Sequence, residues 1–143
     1  MAKGNSLERF IKAQDADYQT ALSEIRKGRK QSHWTWYIFP QIQGLGISET
    51  SKFYVIKDMD EAREYLDHPV LGNKLVFIAE ELLKQDSNDA NQIFGSPDDL
   101  KLRSSMTLFA SLPDADPVFQ QVLDKFFNGE KDEKTLRILK KTD

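Results

Sequence analysis

The sequence predicts an all-α fold, one compact multihelical domain of about eight short helices spanning residues 1–143. Three observations lead there. Apolar residues recur at three- and four-residue spacing along most of the chain, the period of a helix with one face buried. The gaps between those runs carry helix punctuation, with Ser, Asp or Asn before a run, Pro near its start and Gly after it. Only residues 50–56, with Phe53, Tyr54, Val55 and Ile56, have the composition of a strand.

Each element follows from its own residues. Leu7, Phe10, Ile11, Gln14, Tyr18, Ala21, Leu22 and Ile25 mark a first helix, with Asn5 or Ser6 as its cap and Gly28 as its end. Arg26, Lys27, Arg29 and Lys30 place positive charge at that end, where it complements the macrodipole. From Ser32 an aromatic turn or short helix begins, which Pro40 must stop or bend. Residues 41–46 contain Gly44 and Gly46 and read as a loop, after which Ser48 can cap the 50–56 segment. Asp58 and Glu61 have capping-box spacing and open a helix near Met59–Asp67. Pro69 suits a first helical position, and Val70, Leu71, Leu75, Ile78, Ala79, Leu82 and Leu83 form the strongest apolar stripe of the mid-chain. Ser87 or Asn88 can start a short helix ending at Gly95. Ser96-Pro97-Asp98-Asp99 opens the next, through Leu102, Met106 and Phe109 to Pro113. Asp116-Pro117 repeats that grammar, and Gly129 closes the helix it starts. Asp132 caps a last helix that runs through Leu136 and Leu139 into a basic tail. Residues 1–5 and the last few are expected to be mobile.

Bulk composition narrows the class. The 143 residues suit one domain, and 39% hydrophobic with 30% charged residues supports a single soluble core. A net charge of −3 argues against a generic nucleic-acid binder. There is no cysteine, hence no thiol nucleophile and no thiolate metal site, and this composition fits a reducing cytoplasm. No apolar run approaches the roughly 20 residues of a membrane span, and the first residues lack a signal-peptide core. His33 and His68 are the only histidines and stand far apart, outside any metal-ligand spacing. No metal and no cofactor is therefore expected. His68, before Pro69, suits a structural hydrogen bond at a helix boundary.

Residues 32–41 are the most unusual stretch. Trp34, Trp36, Tyr37 and Phe39 fall within six residues, and large rings of roughly 150–250 Å² each cannot all face solvent. Tyr37, Ile38 and Phe39 read as core anchors, while His33, Trp34, Trp36 and Gln41 are candidates for a pocket wall. Arg29 and Lys30 lie just upstream, and Lys101, Arg103, Ser104 and Ser105 lie on a later helix. If the two segments meet, they make a positive, hydroxyl-rich wall beside indole rings, suited to a phosphate-bearing ligand with a flat base. Two blander readings stand beside this one. A basic helix end can serve the dipole alone, and Ser104 and Ser105 can be small residues that let helices approach.

Several motifs resemble those of a known family. Leu7-Glu8-Arg9-Phe10 with Ala13-Gln14, Gly28-Arg29-Lys30, Ser32-His33-Trp34 with Trp36, and Phe39-Pro40-Gln41 are among them. So are Gly44-Leu45-Gly46, His68-Pro69-Val70-Leu71-Gly72 and the run from Asp98 to Phe109. Together they resemble DUF 1810, a bacterial family of unknown function whose members are sometimes labelled calpastatin. That inhibitor is disordered, whereas this composition is that of a folded chain. The resemblance implies a mainly helical single domain and no established activity. A weaker similarity links Glu8 through Gln14 and Gly28-Arg29 to the YbiA-like (NADAR) proteins, associated with ADP-ribose and N-glycosidic bond cleavage. Where those have a downstream Trp-Gly motif, this chain has Phe94-Gly95.

The functional expectation is a binding site for a phosphate-bearing small molecule, a nucleotide or an ADP-ribose-like compound. Arg29, Lys30, Lys101 and Arg103 would hold phosphate, Trp34 or Trp36 would stack the base, and Gln41, Ser104 and Ser105 would complete the wall. If N-glycosidic hydrolysis occurs there, Glu8 or Asp15 would supply the acid or base, with His33 orienting or shuttling a proton. The alternative is a protein–protein adaptor without catalysis, with exposed aromatics as its hot spot.

Overall fold

Gly28 illustrates how the first helix stops where the sequence predicts. It takes a positive φ of 80°, and the amide nitrogens of Lys27, Gly28 and Arg29 donate back to the carbonyls of Ser23, Ile25 and Glu24. The last turn is thereby satisfied as the chain reverses. The computed structural model describes residues 7–45 and 54–142, with side chains to residue 140. Its eight helices among those residues are α1 (Glu8–Arg26), α2 (Thr35–Ile38), α3 (Met59–Asp67), α4 (Leu71–Leu83), α5 (Ala90–Phe94), α6 (Asp98–Ala110), α7 (Val118–Phe127) and α8 (Glu133–Thr142). The Asn5 or Ser6 cap, the expected mobile residues 1–5, Gly46, the Ser48 cap and residues 50–53 lie outside the described residues.

The all-α expectation holds. Of the possible strand, the described part contributes one isolated parallel bridge between Ile42 and Ile56. Its two hydrogen bonds, Ile56 N to Gln41 O and Gln43 N to Ile56 O, are each 2.8 Å long. The caps are mostly the expected ones, with local shifts. Asp58 accepts from Glu61 N at 2.9 Å, but Glu61 reaches back to Lys57 N rather than to the cap itself. α4 starts at Leu71 rather than Pro69 because the His68 Nδ1 accepts from Val70 N and Leu71 N at 3.1 and 3.3 Å. Asp89, not Ser87 or Asn88, caps α5 through Asn91 N and Gln92 N. Asp132 caps α8, its carboxylate taking Thr135 N at 3.0 Å and Thr135 Oγ1 at 2.6 Å.

α6 is the hub, packing on α2, α3, α5, α7 and α8, while α4 packs on α1, α3 and α7. A helix enclosed on so many sides cannot show a clean polar face, and Leu102 through Phe109 is buried apart from Arg103. Ser104, Thr107 and the C-cap Ser111 each donate to the carbonyl four residues back, whereas the buried Ser105 hydroxyl has no hydrogen-bond partner among the described residues. A run of rings threads the centre, from Phe10 on α1 to Tyr65 on α3, Phe109 on α6 and Phe119 on α7, at centroid spacings of 5.3, 5.5 and 5.7 Å. Gln14 ties α1 into this centre, donating to the Tyr37 carbonyl and the Tyr65 hydroxyl at 2.7 and 2.8 Å.

Candidate functional site

The site begins with Glu24. After Gly28 the chain folds back over the end of α1, and the Glu24 carboxylate gathers the returning strand of loop. One oxygen accepts from Gln31 N at 2.8 Å, Ser32 N at 3.0 Å and the Trp34 indole Nε1 at 2.9 Å. The other accepts from Ser32 Oγ at 2.6 Å. Burial alone would raise this carboxyl, but these donors outweigh it and lower the pKa to about 2. Glu24 is thus a charged anchor and not a proton donor near neutrality. It fixes Trp34, which is fully buried and meets Phe94 edge-on with centroids 6.0 Å apart. Of the two indoles, only Trp36 reaches the surface.

The same loop delivers Lys30 to α6. Its backbone N donates to the Ile93 carbonyl at 2.6 Å. Its Nζ donates to the Ser32 carbonyl and lies 2.7 Å from Asp98 Oδ2. One turn along α6, Lys101 Nζ lies 3.2 Å from Asp98 Oδ1 and 4.0 Å from the centre of the Trp36 ring. The side chains of Lys30, Asp98 and Lys101 are 6%, 18% and 19% exposed, so the three charges meet partly out of water yet open to it. Burial raises the Asp98 carboxyl, and the hydrogen bonds and charges of the two lysines more than reverse it, holding it below its ordinary value. Two ammoniums and one carboxylate leave this cluster with a net positive charge beside the half-buried Trp36 indole.

The structure brings Lys30, Trp36 and Lys101 together and takes other candidates elsewhere. Arg103 turns toward the start of α8, donating to the Glu130 and Lys131 carbonyls at 3.1 and 2.9 Å. There it lines a shallow concavity of about 360 Å³ with Gly129, Glu133 and Leu136. Ser104 back-bonds to Leu100 at 3.1 Å, and Ser105 is fully buried. Arg29 and His33 are exposed, the His33 carbonyl accepting from the Tyr37 hydroxyl at 3.1 Å. Gln41 is half-buried and spends its carbonyl on Ile56 N. Glu8 and Asp15 are exposed on α1, and among the described residues no hydrogen bond or ion pair joins either to the lysine cluster. Among the described residues no group of His, Cys, Asp and Glu is arranged to hold a metal ion, and no helix is long and apolar enough to cross a membrane.

Sequence reasoning underrates two acids. Asp98 and Lys101 stand as an i, i+3 pair on one helix, but Asp98 also has an ordinary role in a first helical turn. The reach of Lys30 to Asp98, and of Glu24 to Trp34, is set by the loop's path over the end of α1, for which no local pattern exists.

A family model described as "Protein of unknown function (DUF1810)" matches residues 4–139. The chain is similar to a solved structure, that of the conserved hypothetical protein Rv1873 from Mycobacterium tuberculosis. The two are 42% identical over 94% of this chain and 96% of that one, with a TM-score of 0.91. No curated protein matches the chain.

Proposed function

The chain belongs to that family of unknown function, and from this premise we propose that it binds a phosphate-bearing small molecule with a flat base at Lys30, Trp36 and Lys101. The observation that carries the reading is the Lys101 ammonium seated 4.0 Å over the half-buried Trp36 ring, in one charged cluster with Lys30. An ammonium over an indole is already attracted by the ring's negative face. It stays available as a phosphate donor because an ammonium has three protons to give. The half-buried Trp36 indole is the ring on which a base would stack, and a base–aromatic stack contributes roughly 1–3 kcal/mol.

N-glycosidic hydrolysis is a further form of this reading, and the geometry favours binding over it. Glu8 and Asp15 lie on the exposed side of α1, and Asp98 is the carboxylate within ion-pair distance of both lysines. A carboxylate held ionised there can stabilise positive charge on a sugar but has no proton to give a leaving group.

Thermal unfolding in the presence of AMP, ADP, ADP-ribose and NAD tests the proposal. A ligand at about a hundred times its Kd stabilises the folded state by roughly 2.7 kcal/mol, which appears as a rise in Tm that grows with concentration. Lys101→Ala and Trp36→Ala are expected to abolish the rise while keeping the wild-type far-UV spectrum. No rise with any of the four at millimolar concentration overturns the reading.

A further inference from the structure

We infer that Asp98 sets the ligand specificity of this site: it occupies the anion position of the Lys30–Lys101 pair, so that the site admits a phosphomonoester dianion and rejects singly charged acids. The inference deepens the binding proposal and rests on it. Each Asp98 oxygen engages a different lysine, Oδ2 with Lys30 at 2.7 Å and Oδ1 with Lys101 at 3.2 Å. Lys30 is further held by the Ser32 carbonyl, and Lys101 by the Trp36 ring. An incoming anion therefore meets no vacant pair of cations. It must take the lysines from a carboxylate that is already in place.

That exchange is selective by charge. Asp98 is attached to the chain, so its effective concentration at the lysines is far above that of a dissolved competitor. A carboxylate or a phosphodiester brings one negative charge and replaces like with like, gaining little. A phosphomonoester carries a charge of about −1.5 to −2 at pH 7 and three strong acceptor oxygens. It can bridge both ammoniums at once while Asp98, 18% exposed, turns to solvent. Specificity here is a difference between two exchanges, and the built-in carboxylate is the repulsive element that creates it.

Isothermal titration of the full chain with AMP, GMP, CMP and UMP, each against its 3′,5′-cyclic form, separates the cases. The base stays constant while the phosphate changes from monoester to diester; cyclisation also consumes the ribose 3′-hydroxyl, a change common to wild type and variant that cancels when their ratios are compared. Wild type is expected to bind at least one monoester roughly tenfold or more tightly than its cyclic form, a gap of about 1.4 kcal/mol. In Asp98→Asn both affinities should rise, the cyclic form gaining more, so that the ratio falls to about threefold or less. Wild type binding both forms equally overturns the inference and needs no variant, so a poorly folded Asp98→Asn does not shelter it. A folded Asp98→Asn that weakens both forms, or leaves the ratio unmoved, overturns it too, since Asp98 would then merely position the lysines. Failure of both proteins to bind any of the eight compounds overturns this inference, while the ligand reading itself is decided separately by the thermal shifts with ADP, ADP-ribose and NAD.

Discussion

A glutamate in the last turn of a helix faces the negative end of the macrodipole, so Glu24 occupies an unfavourable position by charge alone. It is tolerated because four donors, two of them backbone amides, converge on it. Its pKa lies near 2 against an ordinary 4.5, and a depressed carboxylate stabilises the fold above its unfolded pKa. The contribution is therefore complete above about pH 5 and fades as pH falls from about 4.5 toward 2. By linkage it amounts to about 3 kcal/mol at neutral pH, to order of magnitude. Glu24→Gln should therefore unfold about 2 kcal/mol more easily at pH 7, part of the loss being recovered by the neutral amide's own hydrogen bonds. Near pH 2.5 the two proteins should converge. Urea unfolding at several pH values measures the difference, in which the common effects of other carboxylates cancel. A gap that persists unchanged at pH 2.5 would show that shape, not charge, holds the loop.

At the scale of elements, most boundaries are legible because caps are local chemistry. Asp58, Asp132 and Gly28 end or begin helices where their sequence context says they should. The departures are local as well. The sequence marks His68 as a boundary residue with a structural bond, yet its role as the acceptor for the first amides of α4 moves that start past Pro69. The α3–α4 corner it forms is unusually tight. A Cβ on Gly72 would come 2.0 Å from the Leu66 carbonyl oxygen and 2.8 Å from its carbon. Backbone cannot step aside as a flexible side chain can, so Gly72→Ala must separate the two helices. The expected cost is at least about 2 kcal/mol. Gly95 is a useful contrast, for its φ is 74° but no atom lies within 4 Å of where a Cβ would stand. Its ψ of 175° puts it in a region that essentially only glycine adopts, so Gly95→Ala should cost about 1–3 kcal/mol through backbone strain alone, with no collision. Denaturant midpoints give both costs, and a Gly72→Ala that loses well under about 2 kcal/mol would mean that the corner can open.

Across the whole molecule, the helical class and the presence of an aromatic centre can be read from the chain, but not which ring is sealed. Trp34 and Trp36 stand two residues apart in the same block, and their fates depend on where α6 and the α1 end lie. Glu24 draws the Trp34 indole inward, and Lys101 covers the Trp36 face. The same dependence explains why Lys30 and Lys101 meet while Arg103 goes to α8: side chains two positions apart on a buried helix face different neighbours. Trp34 touches residues from the end of α1, from the residue after α2 and from α5, so it reports on the joint between the site loop and the core. In Trp36→Phe it becomes the sole tryptophan. Because that joint is continuous with the ring path from Phe10 to Phe119 through shared buried residues, the site loop should not melt separately. Urea midpoints from Trp34 fluorescence and from far-UV dichroism should coincide within about 0.2 M, the coincidence expected of a two-state domain. A fluorescence transition at clearly lower urea would instead make the loop a separate unit of lower stability. Ligand binding would then act by ordering that loop rather than by filling a rigid site.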